Sequence, residues 1–554
     1  MSQVPEIAEG YWVPRNENAS ASPGTVLVPD TKEEEIVETQ QPENEADYDF
    51  LQRQYELAQL DRASRLRWEM IKKLTVCGVA FLNDAYDMFA INIVAMMLGF
   101  VYYNDAEGSA KNTVPKKWDT LIKIAVQIGC LLGQLVLGRL GDKIGRTTVY
   151  AASLMIAIIT TVASAFSSSM VKGINVFVVL FIWRVLLGFG IGGDYPLTAT
   201  IVSEYASVHN RGKLMASVFA FQGLGNVLAP IVSLIVMACF KSSIDGDVLY
   251  LDYVWRIIIG VGCIPGVCTL YWRLCMTDSD RFRHLKQPQS NGLSAQSTRS
   301  EKLLPAGREN SIDVLYGQAD MRQPKSFGQY FAEWKHLKVL LGTSIAWFAL
   351  DVAFYGINLN SAIVISAIGF SGDIGADKPS SFIIRNCVGN IIINLLGSVP
   401  GYWISVFTIE RFGRKRIQLI GFAILTVLYL VLGFAYHQIL AKSTGAFIFL
   451  FSVAQLFQNF GPNVTTFVIP GEVFPMRFRA TAHGISAAAG KLGAIVAQGG
   501  FLQLANIGGR SAFIDRLLQI FAMFMLIGFA ITFWIPESKG KALEDICNPD
   551  EEYT

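Results

Sequence analysis

Charged residues are scarce in this 554-residue chain: they make up 16% of it, against 52% for apolar residues. A soluble protein typically has about 25% charged residues, so the composition excludes an ordinary soluble fold and predicts a protein of the lipid bilayer. The formal net charge is +1, and the charges crowd into the two ends and the middle of the chain. This pattern offers no basic surface to nucleic acid, and no nucleic-acid partner is expected.

Groupings typical of enzymes and metal centres are also missing from the sequence. The five histidines are scattered, and the eight cysteines show no ligand-like CxxC spacing. The sequence contains neither a Ser/His/Asp grouping nor a phosphate-cradling P-loop. We therefore expect no enzymatic activity, no metal and no cofactor. The amino-terminal stretch is polar and acidic, without the pattern of a cleaved signal peptide.

Long apolar runs are what the sequence has instead. A membrane-spanning helix needs about 20 mostly apolar residues, and about twelve runs qualify, in two groups of six. The first group lies at about 74–103, 120–141, 148–169, 174–197, 214–240 and 254–275, and the second at about 338–368, 383–409, 416–437, 445–469, 481–505 and 515–535. This layout predicts an all-α membrane protein of the major facilitator fold, with twelve transmembrane helices in two six-helix halves.

The domain prediction follows from these runs. It comprises a polar tail at 1–70, a six-helix half at 71–276, a polar linker at 277–330, a second six-helix half at 331–538 and a tail at 539–554. Lys and Arg gather in loops that fall on one side of the membrane by parity. They include Lys72 and Lys73 before the first span, Lys143 and Arg146 after the second, and Lys539 and Lys541 after the twelfth. The positive-inside rule makes that side, the linker and both termini cytoplasmic.

Two charge patterns recur at matching places in the two halves. The stretch Gly138–Arg146 after the second span is matched by Glu410–Arg416 after the eighth, and a Glu precedes an Arg by seven positions after both the fourth and the tenth. Such repeats indicate duplicated halves around a central path. We predict that these residues latch the halves together on the cytoplasmic side. The predicted latch residues are Asp142, Arg146, Glu204, Arg211, Arg414, Glu472 and Arg479.

A few ionisable residues stand out within the predicted spans. They are Asp84 and Asp87 in the first, Asp194 in the fourth, Asp351 in the seventh and Lys491 in the eleventh. An ionised group at membrane depth is costly unless it is paired, hydrated or neutralised, so such residues usually face a transport path. Because they come from both halves, they predict one shared cavity. The alternative is a set of interhelical salt bridges that serve packing.

The seventh span carries a polar face. Trp347, Asp351 and Tyr355 recur every four residues and therefore lie near one side of a helix. The indole, the phenol and Lys491 are hydrogen-bond donors suited to an anion. An ionised Asp351 would repel that anion, whereas a protonated one would donate a hydrogen bond, which couples anion binding to proton binding. An aromatic stripe packed against a neighbouring helix is the alternative.

The first and fourth spans carry two further features. Asp84 and Asp87 are three residues apart and therefore lie on one side of a helix. Mutual repulsion in a low dielectric favours a proton on at least one of them, which suits the pair to carrying a proton. A water-exposed interfacial pair is the alternative. The glycines of Gly188–Pro196 follow a membrane helix without a βαβ context, which excludes a nucleotide loop. Small residues there allow close contact between helices.

The run Gly192-Gly-Asp-Tyr-Pro-Leu-Thr-Ala-Thr-Ile-Val-Ser-Glu204 closely resembles the defining stretch of the phosphate:proton symporters of fungi and plants. Supporting stretches are Asn83–Phe89, Trp347–Gly356, Gln458–Asn463 and Gly471–Pro475. The resemblance extends through all the spans and fails only in the tails and the linker. It implies proton-coupled import of inorganic phosphate by alternating access at the plasma membrane.

The resemblance also implies roles for individual residues. By motif, the phosphate site would be lined by Asp194, Tyr195, Gln222, Trp347, Asp351, Tyr355, Asn463 and Lys491. The proton path would comprise Asp84, Asp87, Asp194 and Asp351. The implied partners are inorganic phosphate, protons and the lipid bilayer.

Two other functions stay open from the sequence. One is transport of an organic phosphate such as a glycerophosphodiester, although relatives of that kind tend to carry Glu where this chain has Asp194. The other is a membrane sensor of phosphate, for which the linker and the acidic amino-terminal tail would be the contact surfaces.

Overall fold

The protein is described by a computed structural model that covers residues 25–26, 37–38, 68–104, 111–168, 175–278, 325–361, 364–365, 370, 372, 378–504, 513–541 and 543–546. Two short strands, β1 (Thr25–Val26) and β2 (Val37–Glu38), pair antiparallel in the amino-terminal unit. All other regular elements are helical, and the predicted all-α membrane fold is confirmed for the described spans.

The helices of the first half run from residue 68 to residue 274. They are α1 (Trp68–Phe89), α2 (Ile91–Tyr102), α3 (Lys116–Lys143), α4 (Arg146–Ala165), α5 (Val176–Tyr205), α6 (Arg211–Gly246), α7 (Leu251–Val261) and α8 (Cys263–Leu274). The first span consists of α1 and α2, and the sixth of α7 and α8. Spans two to five are the single helices α3 to α6.

The helices of the second half follow the linker. They are α9 (Phe327–Ala332), α10 (Trp334–Asn358), α11 (Pro379–Ile393), α12 (Val399–Phe412), α13 (Arg414–Phe434), α14 (Tyr436–Lys442), α15 (Thr444–Gln458), α16 (Val464–Val473), α17 (Arg479–Leu504), α18 (Ile514–Thr532) and α19 (Leu543–Ile546). Spans seven, nine, eleven and twelve are α10, α13, α17 and α18. The eighth span joins α11 to α12, and the tenth joins α15 to α16.

Ten helical stretches in the described part of the chain are long and apolar enough to cross a membrane. The two other predicted spans are helical but depart from the simple pattern. A π turn at Asn459–Asn463 splits the tenth span, with non-helical backbone at Phe460 and Gly461. The eleventh span is a continuous helix whose Gly, Ser, His and Lys residues lower its hydropathy. A π turn in a membrane helix, like the one in the tenth span, often accompanies a functional site.

The packing of the spans shows a two-fold relationship between the halves. The second span packs against the eleventh and the fifth against the eighth, and these are the principal contacts between the halves. The second span is equivalent to the eighth and the fifth to the eleventh, so exchanging the halves turns one contact into the other, as a pseudo-two-fold axis would. The central path lies between these contacts. We call the face that the positive charges predict to be cytoplasmic the inner face, and the opposite face the outer face.

Two glycines hold equivalent turns at the inner face. Gly145 joins the second and third spans with a φ of 147°, and Gly413 joins the eighth and ninth with a φ of 89°. Residues with a side chain rarely adopt such backbone angles. The duplication predicted from the charged repeats is therefore also present in the backbone of the two turns.

The glycines of the fourth span pack against two neighbouring helices. A side chain added at Gly188 or Gly192 would meet the backbone of the second span, and one added at Gly190 would meet the backbone of the third. Spacing by four residues places Gly188 and Gly192 on one side of α5. The prediction that these small residues serve close helix contact is confirmed.

Several predicted boundaries differ from the structure. The seventh helix was predicted to extend to about 368 but ends at Asn358. Leu359 and Asn360 form a turn directly after it. The first helix begins at Trp68, inside the predicted tail, and α9 crosses the predicted linker boundary at 330, where Ser326 and Gln329 form a capping box. Most of the predicted linker, tail 1–70 and tail 539–554 lies outside the described residues.

Candidate substrate site

Lys491 is the centre of a buried polar cluster between the two halves. It lies twelve residues into the 26-residue helix α17, about 18 Å from its inner end. Its Nζ donates to the phenol oxygen of Tyr355 at 2.7 Å and to Oδ2 of Asp351 at 3.2 Å. Trp347 lies one turn before Asp351 on the same helix. The predicted polar face of the seventh span thus meets the eleventh-span cation.

Tyr195 connects this cluster to the first half. The Lys491 ammonium lies 4.9 Å from the Tyr195 ring and 4.3 Å from the Tyr355 ring. The Tyr195 and Trp347 rings are 6.4 Å apart. A cation held against two aromatic faces and one carboxylate is stabilised although it is 1% exposed.

Close packing around Lys491 depends on the residue before it. A Cβ at Gly490 would lie 2.6 Å from Trp347 and 2.8 Å from the Asp351 carboxylate. Real Cβ atoms do not approach other atoms so closely, and glycine therefore lets the seventh and eleventh spans bring Asp351 to the ammonium.

Gln222 lies in the fifth span and Asn463 in the tenth, and both are near Tyr402 of the eighth span. Asn463 is the last residue of the π turn, and its Nδ2 donates to the phenol of Tyr402 at 2.6 Å and to Asn459 at 2.8 Å. Gln222 is 2% exposed, and its Oε1 has no hydrogen-bond partner among the described residues. The following residue, Gly223, contacts the Tyr402 ring. These amides lie near the contact between the fifth and eighth spans, where the halves meet.

Asp194 is bound by residues of its own half. A carboxylate oxygen of Asp194 lies 2.6 Å from the Arg273 guanidinium and 2.6 Å from the Ser153 hydroxyl. Arg273 in turn stacks on the Tyr150 ring at 3.3 Å. The ion pair links the fourth and sixth spans, and the Ser153 hydrogen bond adds the third. Whether Asp194 also contacts substrate stays a prediction.

The two acids of the first span have different surroundings. Asp87 accepts hydrogen bonds from Asn83 at 3.3 Å and Thr161 at 3.2 Å, and Arg184 donates to its backbone carbonyl at 3.1 Å. Asp84 is 2% exposed, and its Oδ2 lacks a hydrogen-bond partner in the described part of the chain. Since both side chains are buried inside the bundle, they do not form a water-exposed interfacial pair.

The seven predicted latch residues form two clusters at the inner face. In one cluster Asp142 accepts from the backbone N–H of Thr481 at 2.8 Å and from its hydroxyl at 2.7 Å, across the halves. Arg146 forms an ion pair with Glu204 and donates to the Met476 carbonyl at 2.7 Å. Arg479 lies 3.8 Å from Glu204, again across the halves.

The second inner cluster mirrors the first. Glu472 binds Arg211 of the other half at 3.0 Å and Arg414 of its own half at 3.0 Å, while Glu410 binds Arg414 at 2.7 Å. Ser538 also donates to Glu472, at 2.5 Å. Each cluster thus contains an acid and an Arg from a turn between spans, a Glu from a following span and an Arg from the opposite half. The two-fold axis exchanges the two clusters.

Three buried cations escaped the sequence interpretation. Arg184 lies in the predicted fourth span, Lys123 in the second and Arg273 near the end of the sixth. All three are at most 6% exposed. A lone cation within an apolar run was the available signal for each. The first half therefore holds buried cations as well as buried acids.

The chain is similar to known membrane transporters along most of its length. Residues 74–548 match the family described as sugar (and other) transporter. The chain is 40% identical to the repressible high-affinity phosphate permease of Neurospora crassa, with 89% of each chain covered. It is 39% identical to the inorganic phosphate transporter PHO84 of Saccharomyces cerevisiae, over 86% of this chain and 84% of that one. A probable inorganic phosphate transporter 1-8 of Oryza sativa is 37% identical, over 90% and 94%.

Solved structures identify the fold. The proton:xylose symporter XylE, of the major facilitator superfamily, superposes with a TM-score of 0.63 at 19% identity, covering 86% of this chain and 98% of that one. At this identity the likeness concerns the fold alone. Together with the two six-span halves, the pseudo-two-fold axis and the buried charges at their interface, these similarities show that the chain belongs to the sugar (and other) transporter family and has the major facilitator fold.

Proposed function

We propose that this protein imports inorganic phosphate together with protons across the plasma membrane, with both termini in the cytoplasm. The observation that carries the proposal is the Lys491 ammonium, which is buried where the halves meet and held by Asp351 and Tyr355. The names of the fungal and plant relatives support phosphate as the substrate. The Lys and Arg bias of the loops supports the orientation.

The proposed coupling follows from the Lys491–Asp351 pair. With Asp351 ionised, the carboxylate neutralises Lys491 and repels an anion. A proton on Asp351 removes that negative charge, so the full ammonium charge and a new hydroxyl donor become available to phosphate. Tyr195, Tyr355 and Trp347 add neutral donors around the same point. Loss of the proton on the inner side restores the pair and expels the anion, which gives directional exchange of the two ligands.

The remaining predicted ligands complete the proposed site. Gln222 and Asn463 would contribute amide groups from the fifth and tenth spans, and Oε1 of Gln222, which has no partner among the described residues, would accept from a phosphate hydroxyl. Asp84, Asp87 and Asp194 would carry protons within the first half. The inner clusters would hold the halves together while the path faces outward, because they join the halves at the inner face only.

The test is uptake of labelled phosphate by cells that lack their own phosphate transporters. We expect uptake to rise as external pH falls and to collapse when a protonophore is added. Glycerophosphodiesters should compete poorly. Uptake that ignores pH and protonophore but follows a sodium gradient would contradict proton coupling, and binding of phosphate without flux would favour the sensor.

A further inference from the structure

Lys123 is a buried cation on the outer side of the second span, and the proposed transport cycle described above does not use it. It lies seven residues after the outer end of α3 and is 6% exposed. Its Nζ contacts Oδ2 of Asp119, one turn further out, at 2.9 Å. It also donates across the halves to Oδ1 of Asn360, directly after the seventh span, at 3.2 Å.

The turn that follows the seventh span is one of the places where the halves meet on the outer side. Besides Lys123, Asn92 of the first span donates to the Asn358 carbonyl at 2.5 Å and to the Ser361 hydroxyl at 3.3 Å. We call the contacts of Lys123 and Asn92 with Asn358–Ser361 the outer gate. These contacts join opposite halves, so they must break when the path opens outward.

The outer gate is connected to the Lys491 cluster. The Asn360 amide donates to Oε1 of Gln498 at 3.0 Å, and the Gln498 amide donates to the backbone carbonyl of Tyr355 at 2.6 Å. Tyr355 is the residue whose phenol meets Lys491. When the gate is closed, Asn360 therefore holds the helix segment that presents Tyr355 to the central ammonium.

A polar cavity lies just inside the gate. It is lined by Phe89, Asn92, Ile93, Asn226, Pro230, Asn358, Asn390 and Asn394. Asn92 and Asn226 are 6% and 5% exposed, and their amide oxygens have no hydrogen-bond partner within the described ranges. Buried amide oxygens of this kind call for a donor, and dihydrogen phosphate carries two hydroxyl donors.

Phe89 separates this cavity from the central site. Its ring stacks on that of Tyr355, with centroids 6.0 Å apart and planes within 9°. From the outer face inward, the route thus passes the outer gate, the asparagine-lined cavity, the Phe89 ring and the Lys491 cluster. The spans that line this route come from both halves, as an alternating-access path requires.

We propose that Lys123 is the residue that receives phosphate at the outer opening, before the anion reaches Lys491. The inference rests on the proposed phosphate transport. Once the halves separate on the outer side, Asn360 withdraws and the ammonium turns its freed donor to the entering monoanion, while Asp119 keeps the side chain in place. After the anion has moved inward, Lys123 binds Asn360 again and closes the gate.

A set of variants separates the effect of the Lys123 charge from the effect of its contact with Asn360. Lys123→Gln can still donate a hydrogen bond to Asn360 but has no charge, and Lys123→Arg keeps the charge. Asn360→Ala removes the contact and leaves the ammonium. Lys117→Gln is the matched control, because Lys117 is exposed at the outer end of the same helix. Initial rates of labelled phosphate uptake are measured in transporter-deficient cells at low and high ionic strength.

We expect Lys123→Gln to raise KM by about tenfold, as for a lost charge-assisted hydrogen bond, with the maximal rate within about twofold of the parent. The KM of the parent should rise with salt more steeply than that of Lys123→Gln. Lys123→Arg and Lys117→Gln should behave like the parent, and Asn360→Ala should lower the maximal rate without raising KM.

Two outcomes overturn the inference. A KM for Lys123→Gln equal to that of the parent refutes the receiving role, and an Asn360→Ala variant with the same raised KM shows that the gate contact alone is responsible. If Lys123→Gln does not reach the membrane, the Asn360→Ala and Lys123→Arg results still decide. A parent protein without any phosphate uptake would instead refute the proposed function.

Discussion

The guanidinium of Arg273 lies 2.6 Å from a carboxylate oxygen of Asp194, and both side chains are at most 4% exposed. The two residues are 79 positions apart and come from the fourth and sixth spans. An ion pair buried this deeply stabilises the bundle only while both partners are present, because either one alone is an uncompensated charge. Asp194 therefore has a structural partner in addition to any role toward substrate.

This relationship predicts strong coupling between substitutions at the two positions. Asp194→Asn and Arg273→Gln should each destabilise the protein by about 3–5 kcal/mol, whereas the double variant should be less destabilised than the sum of the two by about 1–3 kcal/mol. Thermal unfolding of the purified variants in detergent measures this. An Asp194→Asn protein as stable as the parent would show that the pair contributes nothing to folding.

Lys491 should control phosphate affinity. Lys491→Gln removes the ammonium that Tyr355 and Asp351 hold at 2.7 and 3.2 Å, and we expect phosphate binding to weaken by about 10- to 100-fold. Equilibrium binding of labelled phosphate to the purified protein measures the change. Lys442→Gln is the control, because Lys442 is exposed at the outer face. Unchanged affinity in Lys491→Gln would exclude Lys491 from the site.

Asp351 should control turnover instead. Asp351→Asn mimics the protonated acid and leaves the charge of Lys491 available, so phosphate should bind at least as tightly as in the parent. Release requires the carboxylate to return to Lys491, so we expect uptake into vesicles to fall by about tenfold or more. A variant that transports at the parental rate would remove Asp351 from the coupling step.

Asp142 should stabilise the closed inner face. It accepts the backbone N–H groups of Ala480 at 3.3 Å and Thr481 at 2.8 Å, at the start of α17 in the opposite half. A carboxylate at a helix N-terminus is favourable, and Asp142→Asn should weaken the contact by about 1 kcal/mol. Labelling of Met215→Cys, a buried site that touches Gly471 across the halves, should become about fivefold faster.

The control for this experiment is Asp252→Asn, which changes a partly exposed ion pair with Arg256 in the sixth span. It should leave the labelling rate of Met215→Cys unchanged. Equal labelling in the parent and in Asp142→Asn would mean that the turn fixes topology but does not latch the halves.

Asp87 should contribute to the pH dependence of uptake. Asp87→Asn keeps an acceptor for Asn83 and Thr161 but cannot exchange a proton. Parental uptake should rise as external pH falls, since protonated carboxyls are then more abundant outside. In Asp87→Asn uptake should fall at least about tenfold and its dependence on pH should flatten. The exposed Asp247→Asn is the control, and a parental pH profile in Asp87→Asn would remove Asp87 from the proton path.

Local signals in the sequence were sufficient for the architecture. Apolar runs of span length, the positive-inside bias and the repeated turns with Gly145 and Gly413 are properties of neighbouring residues, because helix periodicity and bilayer insertion act along the chain. The same holds for the polar face of Trp347, Asp351 and Tyr355, whose spacing places them together on any helix. The end of the seventh helix at Asn358 was missed, because the residues after it are as apolar as the span.

Only the tertiary structure decided which charges meet. Asp351 finds Lys491 140 positions away, Asp194 is held by Arg273, and Lys123 reaches Asn360 across the halves. Hydropathy places Asp194, Asp351 and Lys491 within membrane spans, but it does not show which partner compensates each charge. That choice depends on how the helices rotate and cross, which is fixed by small residues such as Gly188, Gly192 and Gly490 at the contacts. A buried ion pair needs an approach of a few ångströms, and only the packed bundle sets distances at that scale.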